Sequence, residues 1–384
     1  MEEELEGRSD PVVFVDLEAQ RARLGGGIER AIRRVVDHKQ FILGPEVEEL
    51  EQRLAAYCGA AHAVSCASGT DALFLPLLAW GVGPGEAVLM PSFTFPATAE
   101  VVALTGATPV FVDVDEERGN LDPSSLEDGV AVAHSLGLRP VGVIPVDLFG
   151  HPADYPAVEG LAARHGLWVL ADAAQSFGAS LDGIPVGTFG RATAVSFFPS
   201  KPLGCYGDGG AVLTDDAELA ELLRSLRAHG RGTHKYDTVR VGVNSRLDTI
   251  QAAVLLQKLD VLADEIDARQ RVAEGYAKGL ADVVRVPTAA ADVRSAWAQY
   301  TVRLDRPPRD QVAARLHAEG IPTAVHYPKA VHQQPAYRAF PCAEAGLPVS
   351  ELLAGQVLSL PMHPYLTEAA QERVIRALRA AVAR

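Results

Sequence analysis

Apolar residues in the first two-thirds of the chain form short continuous runs that alternate with stretches of helical periodicity. The runs predict strands at 62–66, 86–90, 109–113, 141–147, 168–171 and 192–198. The stretches predict helices at 16–36, with an interruption at 25–27, and at 69–80, 97–104 and 159–165. Near-continuous apolar strands that alternate with helices are typical of a mainly parallel sheet covered by helices on both faces. The sequence therefore predicts an α/β fold.

Beyond residue 248 the pattern changes. Apolar residues recur at helical spacing over 250–266 and predict one long amphipathic helix. A strand is predicted at 299–304 and a closing helix at 367–382. Because 384 residues exceed what one core usually takes, we expect more than one domain. The predicted division is an acidic tail over 1–10, a large domain over 11–260 and a smaller α/β C-terminal domain over 261–384.

Composition and charge exclude several classes of protein. Hydrophobic residues make up 48% and charged residues 22%, which is ordinary for a globular protein, and the net charge of −14 argues against nucleic-acid binding. The apolar runs are too short to span a membrane, and the acidic start at Met1 is unlike a secretory signal. Four scattered cysteines without a C-x-x-C pair indicate reduced thiols and a cytoplasmic location. Eleven histidines without an H-E-x-x-H arrangement give no reason to expect a catalytic metal.

Two polar residues at the ends of predicted strands are the main candidates for chemistry. Taken alone, Lys201 could be an exposed turn lysine and Asp172 the cap of the next helix. Lys201, however, lies between two prolines in a stretch poor in charge, where desolvation would lower its pKa and favour attack on a carbonyl. Asp172 directly follows an apolar run, where an unpaired carboxylate would cost several kcal/mol. The pair suits a pyridoxal phosphate site, in which the lysine binds the aldehyde and the aspartate keeps the pyridine nitrogen protonated.

Other residues could complete such a site. Gly69 and Thr70 lie where a strand gives way to a helix, so free backbone N–H groups could bind the cofactor phosphate, and Ser196 could add a hydroxyl. Gln175 could donate a hydrogen bond to the ring hydroxyl. Phe95 is either a core aromatic or a ring that stacks on the pyridine.

The segment from 224 to 246 carries six basic residues against a single acid, Asp237. It is either a solvated basic surface or a recognition site for an anionic substrate, since the planar arginine side chain suits phosphate and carboxylate.

These motifs together resemble those of the DegT/DnrJ sugar aminotransferases, from about residue 15 to the C-terminus. The resemblance rests on Ser68-Gly-Thr-Asp-Ala72, Asp172-Ala-Ala-Gln175, Ser196-Phe-Phe-Pro-Ser-Lys201, Gly207-Asp-Gly-Gly210 and Gly242-Val-Asn-Ser-Arg246. It implies a fold-type-I, pyridoxal-phosphate-dependent aminotransferase with a mainly parallel mixed sheet. It also implies a homodimer whose active sites are shared across the interface.

Within that family, the segments 199–210, 240–248, 322–328 and 359–365 are most similar to one branch. That branch aminates the C3 ketone of UDP-2-acetamido-2-deoxy-3-oxo-glucuronate, with L-glutamate as donor, during bacterial surface-polysaccharide (O-antigen) synthesis. By the resemblance, Asn244 would reach the cofactor phosphate of the neighbouring subunit and Arg246 would meet a substrate carboxylate. His326 and Tyr327 would line the sugar pocket.

The sequence departs from that branch in the loop 229–238, in the segment 333–347 and at Phe95, where a tyrosine is often found. Three alternatives to this interpretation stay open. They are an aminotransferase of the same family acting on a dTDP-keto-sugar or a keto-cyclitol, a non-catalytic regulator that binds the cofactor, and a sugar dehydratase. The dehydratases of this kind replace the lysine by histidine, so Lys201 argues against the last.

Overall fold

The computed structural model describes residues 12–234 and 236–383, so the predicted acidic tail over 1–10 lies outside the described residues. The helices are α1 (Leu17–Arg23), α2 (Gly27–His38), α3 (Pro45–Cys58), α4 (Gly69–Ala79), α5 (Ala97–Leu104), α6 (Pro123–Ser135), α7 (Tyr155–His165), α8 (Ala217–Leu226), α9 (Thr249–Leu259), α10 (Leu262–Leu280), α11 (Arg309–Ala318), α12 (Pro348–Gln356) and α13 (Glu368–Val382). The strands are β1 (His62–Cys66), β2 (Glu86–Pro91), β3 (Thr108–Val112), β4 (Arg139–Val143), β5 (Trp168–Asp172), β6 (Ser180–Leu181), β7 (Ile184–Pro185), β8 (Ala192–Ser196), β9 (Gly210–Thr214), β10 (Val293–Arg294), β11 (Tyr300–Arg303) and β12 (Val357–Leu360).

Seven strands form the central sheet in the order β1-β9-β8-β5-β4-β2-β3. The pairs from β3 through β8 are parallel, and β9 runs antiparallel to both β8 and β1. The predicted mainly parallel, mixed sheet is therefore confirmed. Because parallel strands end at the same edge of a sheet, the carboxyl ends of β5 and β8 bring Asp172 and Ser196 to one edge.

The single long helix predicted over 250–266 is wrong. The chain forms α9 and α10, with a break at Asp260 and Val261. At the break, the N–H of Val261 bonds to the carbonyl of Lys258, three residues back, so the turn tightens, while Asp260 and Val261 keep backbone angles in the right-handed helical region. The apolar residues stay on one side across such a break, which is why their spacing did not reveal it.

Two predicted elements have different ends. β4 ends at Val143, before the predicted end at 147, since Pro145 has no N–H to continue the ladder. α7 begins at Tyr155 rather than 159. Asp154 caps it by accepting a hydrogen bond from the N–H of Ala157 (3.1 Å), and Pro156 occupies the first turn.

Apolar cores lie on both faces of the central sheet, and a separate core lies in the C-terminal part. In the first turns of α10, Leu262 and Ile266 pack into one of the cores on the central sheet. In its later turns, Val272 and Tyr276 pack into the C-terminal core. The change of core thus falls within α10, close to the boundary at residue 260, which stays a prediction. Over the described residues, the structure contains no helix long and apolar enough to cross a membrane.

Candidate active site

Asp172 is the last residue of β5 and is buried, with 5% of its surface exposed. The hydroxyl of Thr98 donates a hydrogen bond to its Oδ2 (2.9 Å), and the N–H of Ala174 donates to its Oδ1 (3.2 Å). Burial raises the pKa of Asp172, while these hydrogen bonds and the positive charge of Lys201 lower it. The net shift of the pKa is upward. A cationic ring nitrogen bound beside the carboxylate would stabilise its charged form.

Lys201 lies in the turn after β8, where its N–H bonds to the carbonyl of Phe198 (2.9 Å). Burial lowers the pKa of Lys201 to about 8, although the negative charge of Asp172 raises it. An amine with such a pKa is neutral, and hence nucleophilic, in a useful fraction of molecules near neutral pH. Burial is the main cause that lowers the pKa of His326, and the positive charge of Lys201 lowers it further. The structure thus brings Lys201, Asp172 and His326 into one electrostatic environment.

A turn formed by residues 67–71, here called the α4 turn, faces the end of β8. A Cβ at Gly69 would lie 2.6 Å from the Cβ of Ser196, so only glycine lets the start of α4 approach that strand so closely. The first N–H groups of a helix have no acceptor within it, and those of Gly69 and Thr70 are in this position. With the Ser196 hydroxyl beside them, they form a cradle suited to a phosphate group.

Gln175 and Tyr327 connect the central sheet to the chain that follows α11. Gln175 accepts a hydrogen bond from the N–H of Phe149 (2.7 Å) on its Oε1, and its Nε2 donates to the Tyr327 hydroxyl (3.2 Å). Burial raises the pKa of Tyr327, so its hydroxyl stays protonated. Next to it, the Nδ1 of His326 lies 3.0 Å from the Oγ of Ser359. His326 and Tyr327 are therefore held at fixed positions.

Phe95 is 55% exposed, so the core interpretation of this residue is wrong. Its ring centroid lies 6.0 Å from that of Tyr327 at an interplanar angle of 47°. An exposed aromatic face beside Tyr327 is available to a planar ligand.

Asn244 and Arg246 occupy a different setting. Asn244 is exposed, and Arg246 is half-buried with an enclosed Nε that has no hydrogen-bond partner among residues 12–234 and 236–383. Within those residues, no hydrogen bond or ion pair connects either side chain to Lys201 or Asp172. Over the described residues, the structure therefore shows no direct polar contact of these two side chains with Lys201 or Asp172 within a single chain.

Part of the basic segment 224–246 is structural. Arg227 is buried, pairs with Glu51 and donates to the carbonyl of Ser65 (2.6 Å). Arg224 pairs with Glu221 (2.7 Å). The surface available to an anionic ligand is thus smaller than the sequence indicated, and Lys235 lies outside the described residues.

Sequence reasoning missed three polar residues behind this site. The hydroxyl of Thr98 donates to Asp172, and the hydroxyl of Thr94 lies 3.2 Å from that of Thr98. Asp147 is buried and accepts hydrogen bonds from Ser176 (2.6 Å) and Tyr155 (2.8 Å), and burial raises the pKa of Asp147 to about 7. Asp147 follows an apolar run just as Asp172 does, so the same signal was present in the sequence.

We expect Thr98→Val to lower kcat/KM about tenfold, because it removes a hydrogen bond to a buried charge and raises the pKa of Asp172 further. Steady-state kinetics would show it. Thr94→Val is the matched control and should have a smaller effect, since Thr94 contacts Thr98 rather than the carboxylate. Equal losses in the two variants would show that Thr98 acts only through packing.

The residues at this edge of the sheet fit pyridoxal phosphate. The cradle at the α4 turn would hold the phosphate, and the buried Asp172 lies where a protonated ring nitrogen would neutralise it. Lys201 presents an amine of lowered pKa nearby.

Comparison with known proteins gives four findings. A family model described as the DegT/DnrJ/EryC1/StrS aminotransferase family matches residues 23–379. A "UDP-2-acetamido-2-deoxy-3-oxo-D-glucuronate aminotransferase" of Pseudomonas aeruginosa is 49% identical over 96% of this chain and 99% of its own. Among solved structures, a DegT DnrJ EryC1 StrS aminotransferase from Brucella abortus superposes with a TM-score of 0.95 at 53% identity, covering 97% of this chain and 100% of its own. The structure of ntda from Bacillus subtilis with bound cofactor PMP superposes with a TM-score of 0.86 at 27% identity, over 98% and 87%.

Proposed function

Because the chain belongs to the DegT/DnrJ/EryC1/StrS aminotransferase family, we propose that it aminates the C3 ketone of UDP-2-acetamido-2-deoxy-3-oxo-glucuronate. L-glutamate is the proposed amino donor, and the products are the 3-amino sugar and 2-oxoglutarate. The chain is a pyridoxal-phosphate-dependent aminotransferase. The observation that carries the choice of sugar is the 49% identity, over nearly the full length of both chains, to a relative named for that substrate.

Each candidate residue has a proposed task. When bound, pyridoxal phosphate supplies an electrophilic aldehyde and a ring that withdraws electrons. Lys201 would hold the cofactor aldehyde, and its Nζ, when free, would carry the proton to and from the donor Cα. Asp172 binds the protonated pyridine nitrogen. The pKa of about 8 at Lys201 and the burial of Asp172 support these two assignments.

The remaining cofactor and sugar contacts follow the same reasoning. Gly69, Thr70 and Ser196 bind the phosphate, and Gln175 donates to the ring hydroxyl while Phe95 stacks on the ring. His326 and Tyr327 line the sugar pocket. Gln175, proposed to bind the ring hydroxyl, donates a hydrogen bond to Tyr327, proposed to line the sugar pocket. This contact supports a sugar pocket that adjoins the cofactor ring.

We propose that a second copy of the chain completes the site. Asn244 reaches the partner's cofactor phosphate, and Arg246 binds the carboxylate of the sugar in the partner's site. The exposed side chain of Asn244 and the enclosed, unpaired Nε of Arg246 in the described part of the chain support this assignment. Exposed apolar side chains such as Phe41, Val239 and Val241 offer surface for such an interface. The cytoplasm is the proposed location, in keeping with four free cysteines.

Mixing two inactive variants tests the shared site. Lys201→Ala chains and Arg246→Ala chains should each be nearly inactive at low sugar concentration. Their statistical mixture should recover roughly a quarter of the wild-type activity, because half of the dimers are hybrids and each hybrid has one intact site. Activity that stays at the level of the separate variants would show that both residues serve the same chain's site.

A panel of keto-sugars tests the substrate. Enzyme converted to its amine form with glutamate should return to the aldehyde form, followed by the change in its visible absorption, fastest with the UDP-3-oxo-glucuronate derivative. Faster return with a dTDP-keto-sugar or a keto-cyclitol would replace the proposed substrate by that one. Failure of glutamate to produce the amine form at all would favour a non-catalytic regulator.

A further inference from the structure

Ser245 stands between the two residues proposed to serve the partner's site, yet its own side chain points elsewhere. It is 1% exposed, whereas Asn244 is on the surface and Arg246 is half-buried. Its hydroxyl donates a hydrogen bond to the Oδ2 of Asp71 (2.7 Å) and accepts one from the N–H of Ala67 (3.3 Å). Both partners belong to the α4 turn of the same chain. Ser245 therefore joins the segment 244–246 to the cradle proposed for its own chain's cofactor phosphate.

Other hydrogen bonds also hold the α4 turn. Asp71 donates its N–H to the hydroxyl of Ser68, the residue that caps α4 (3.1 Å). A second connection runs through the backbone, since the N–H of Ser245 bonds to the carbonyl of Arg227 (2.9 Å). Arg227 in turn holds Ser65, just before the turn. The segment 244–246 and the turn 67–71 thus form one hydrogen-bonded unit.

We propose that Ser245 is a positioning residue that couples the two active sites of the dimer. It fixes the α4 turn, which binds the cofactor phosphate in its own chain's site. At the same time it fixes Asn244 and Arg246, which that chain lends to its partner's site. A phosphate that orders the turn therefore also orders the substrate-binding segment of the other site. This inference rests on the proposed function, because it needs the site to be shared between subunits.

Hybrid dimers with one working site separate the two roles. The reference hybrid pairs a Lys201→Ala chain with an Arg246→Ala chain, so the working site takes its lysine from the second chain and its arginine from the first. Ser245→Ala on the lysine-donating chain should weaken retention of pyridoxal phosphate roughly tenfold, because Ala67 and Asp71 lose their partner. Borohydride fixation at the one remaining Lys201, at graded cofactor concentrations, measures this retention.

Ser245→Ala on the arginine-donating chain should raise KM for the nucleotide sugar roughly tenfold with kcat little changed, and should weaken cofactor retention less than the first change does, because it reaches the phosphate only through Asn244. An effect in only one of the two positions overturns the coupling. An inactive reference hybrid overturns the shared site of the proposed function, and this inference with it. An active reference hybrid that is indifferent to Ser245→Ala overturns this inference alone.

Two further variants distinguish positioning from general loss of structure. Ser350→Ala is the matched control, since the Ser350 hydroxyl is also buried and donates to an aspartate, but to Asp113 (2.6 Å) rather than to the α4 turn. It should change neither cofactor retention nor KM in either position; if it reproduces the pattern of Ser245→Ala, the proposal fails. Asp71→Asn keeps an oxygen acceptor and should retain more cofactor than Asp71→Ala. The effects of Ser245→Ala and Asp71→Ala on cofactor retention should not add, because both variants lose the same hydrogen bond between these two side chains.

Discussion

Replacing Lys201 by alanine is expected to lower kcat by about 10⁴-fold or more, because one change removes the covalent attachment point and the proton carrier. The cradle at the α4 turn and Asp172 remain, so the variant should still bind the cofactor non-covalently. Single-turnover kinetics with glutamate, together with equilibrium dialysis of the cofactor, would measure both effects. A variant that retained wild-type turnover would remove Lys201 from the mechanism.

Lys258 provides a matched control for that substitution. Burial lowers its pKa to about 8 as well, but its Nζ lies 4.4 Å from the centroid of the Tyr206 ring and its nearest electrostatic influences are Glu265 and Cys205. A lowered lysine pKa is therefore not specific to Lys201. We expect Lys258→Met to keep kcat and to keep the covalent attachment of the cofactor at Lys201.

Replacing Asp172 by asparagine is the second large expected effect. The change removes the negative charge that keeps the pyridine nitrogen protonated, and we expect kcat to fall on the order of 10³-fold, as for loss of one preorganised electrostatic partner. Without that charge the pKa of Lys201 should also drop below about 8, because Asp172 is the one influence that raises it. The pH dependence of cofactor attachment, followed by absorption, would report the shift.

A cofactor analogue separates this electrostatic role from a packing role. Pyridoxal phosphate methylated at the ring nitrogen carries a permanent positive charge and needs no carboxylate to keep it. It should restore part of the activity of Asp172→Asn and should not restore Lys201→Ala. Equal activity of Asp172→Asn with the ordinary and the methylated cofactor would contradict the role given to this carboxylate.

The fold was largely predictable because buried parallel strands leave continuous apolar runs. The strands around Val64, Leu89 and Leu170 follow this rule and end within a residue or two of the predicted positions. β9 was missed because it starts at Gly210, inside a glycine-rich segment that predicts a turn. The break between α9 and α10 was hidden because a tightened turn keeps the apolar spacing.

The candidate site was predictable only where chemistry coincides with a strand end. Asp172 and Ser196 close their strands, so the parallel topology brings them together without knowledge of long-range packing. Thr98 and Ser245 depend on such packing. Their partners, Asp172 and Asp71, lie 74 and 174 residues away along the chain, and no local pattern connects them.

The most direct measurement is to locate the cofactor on the protein. Purified enzyme reconstituted with pyridoxal phosphate is reduced with borohydride, digested and analysed by peptide mass spectrometry. We predict a single pyridoxyl group, on the peptide that contains Lys201, and its loss when the enzyme is first incubated with glutamate. A modification found on Lys258 or on any other lysine instead, or on none, would contradict the site described here.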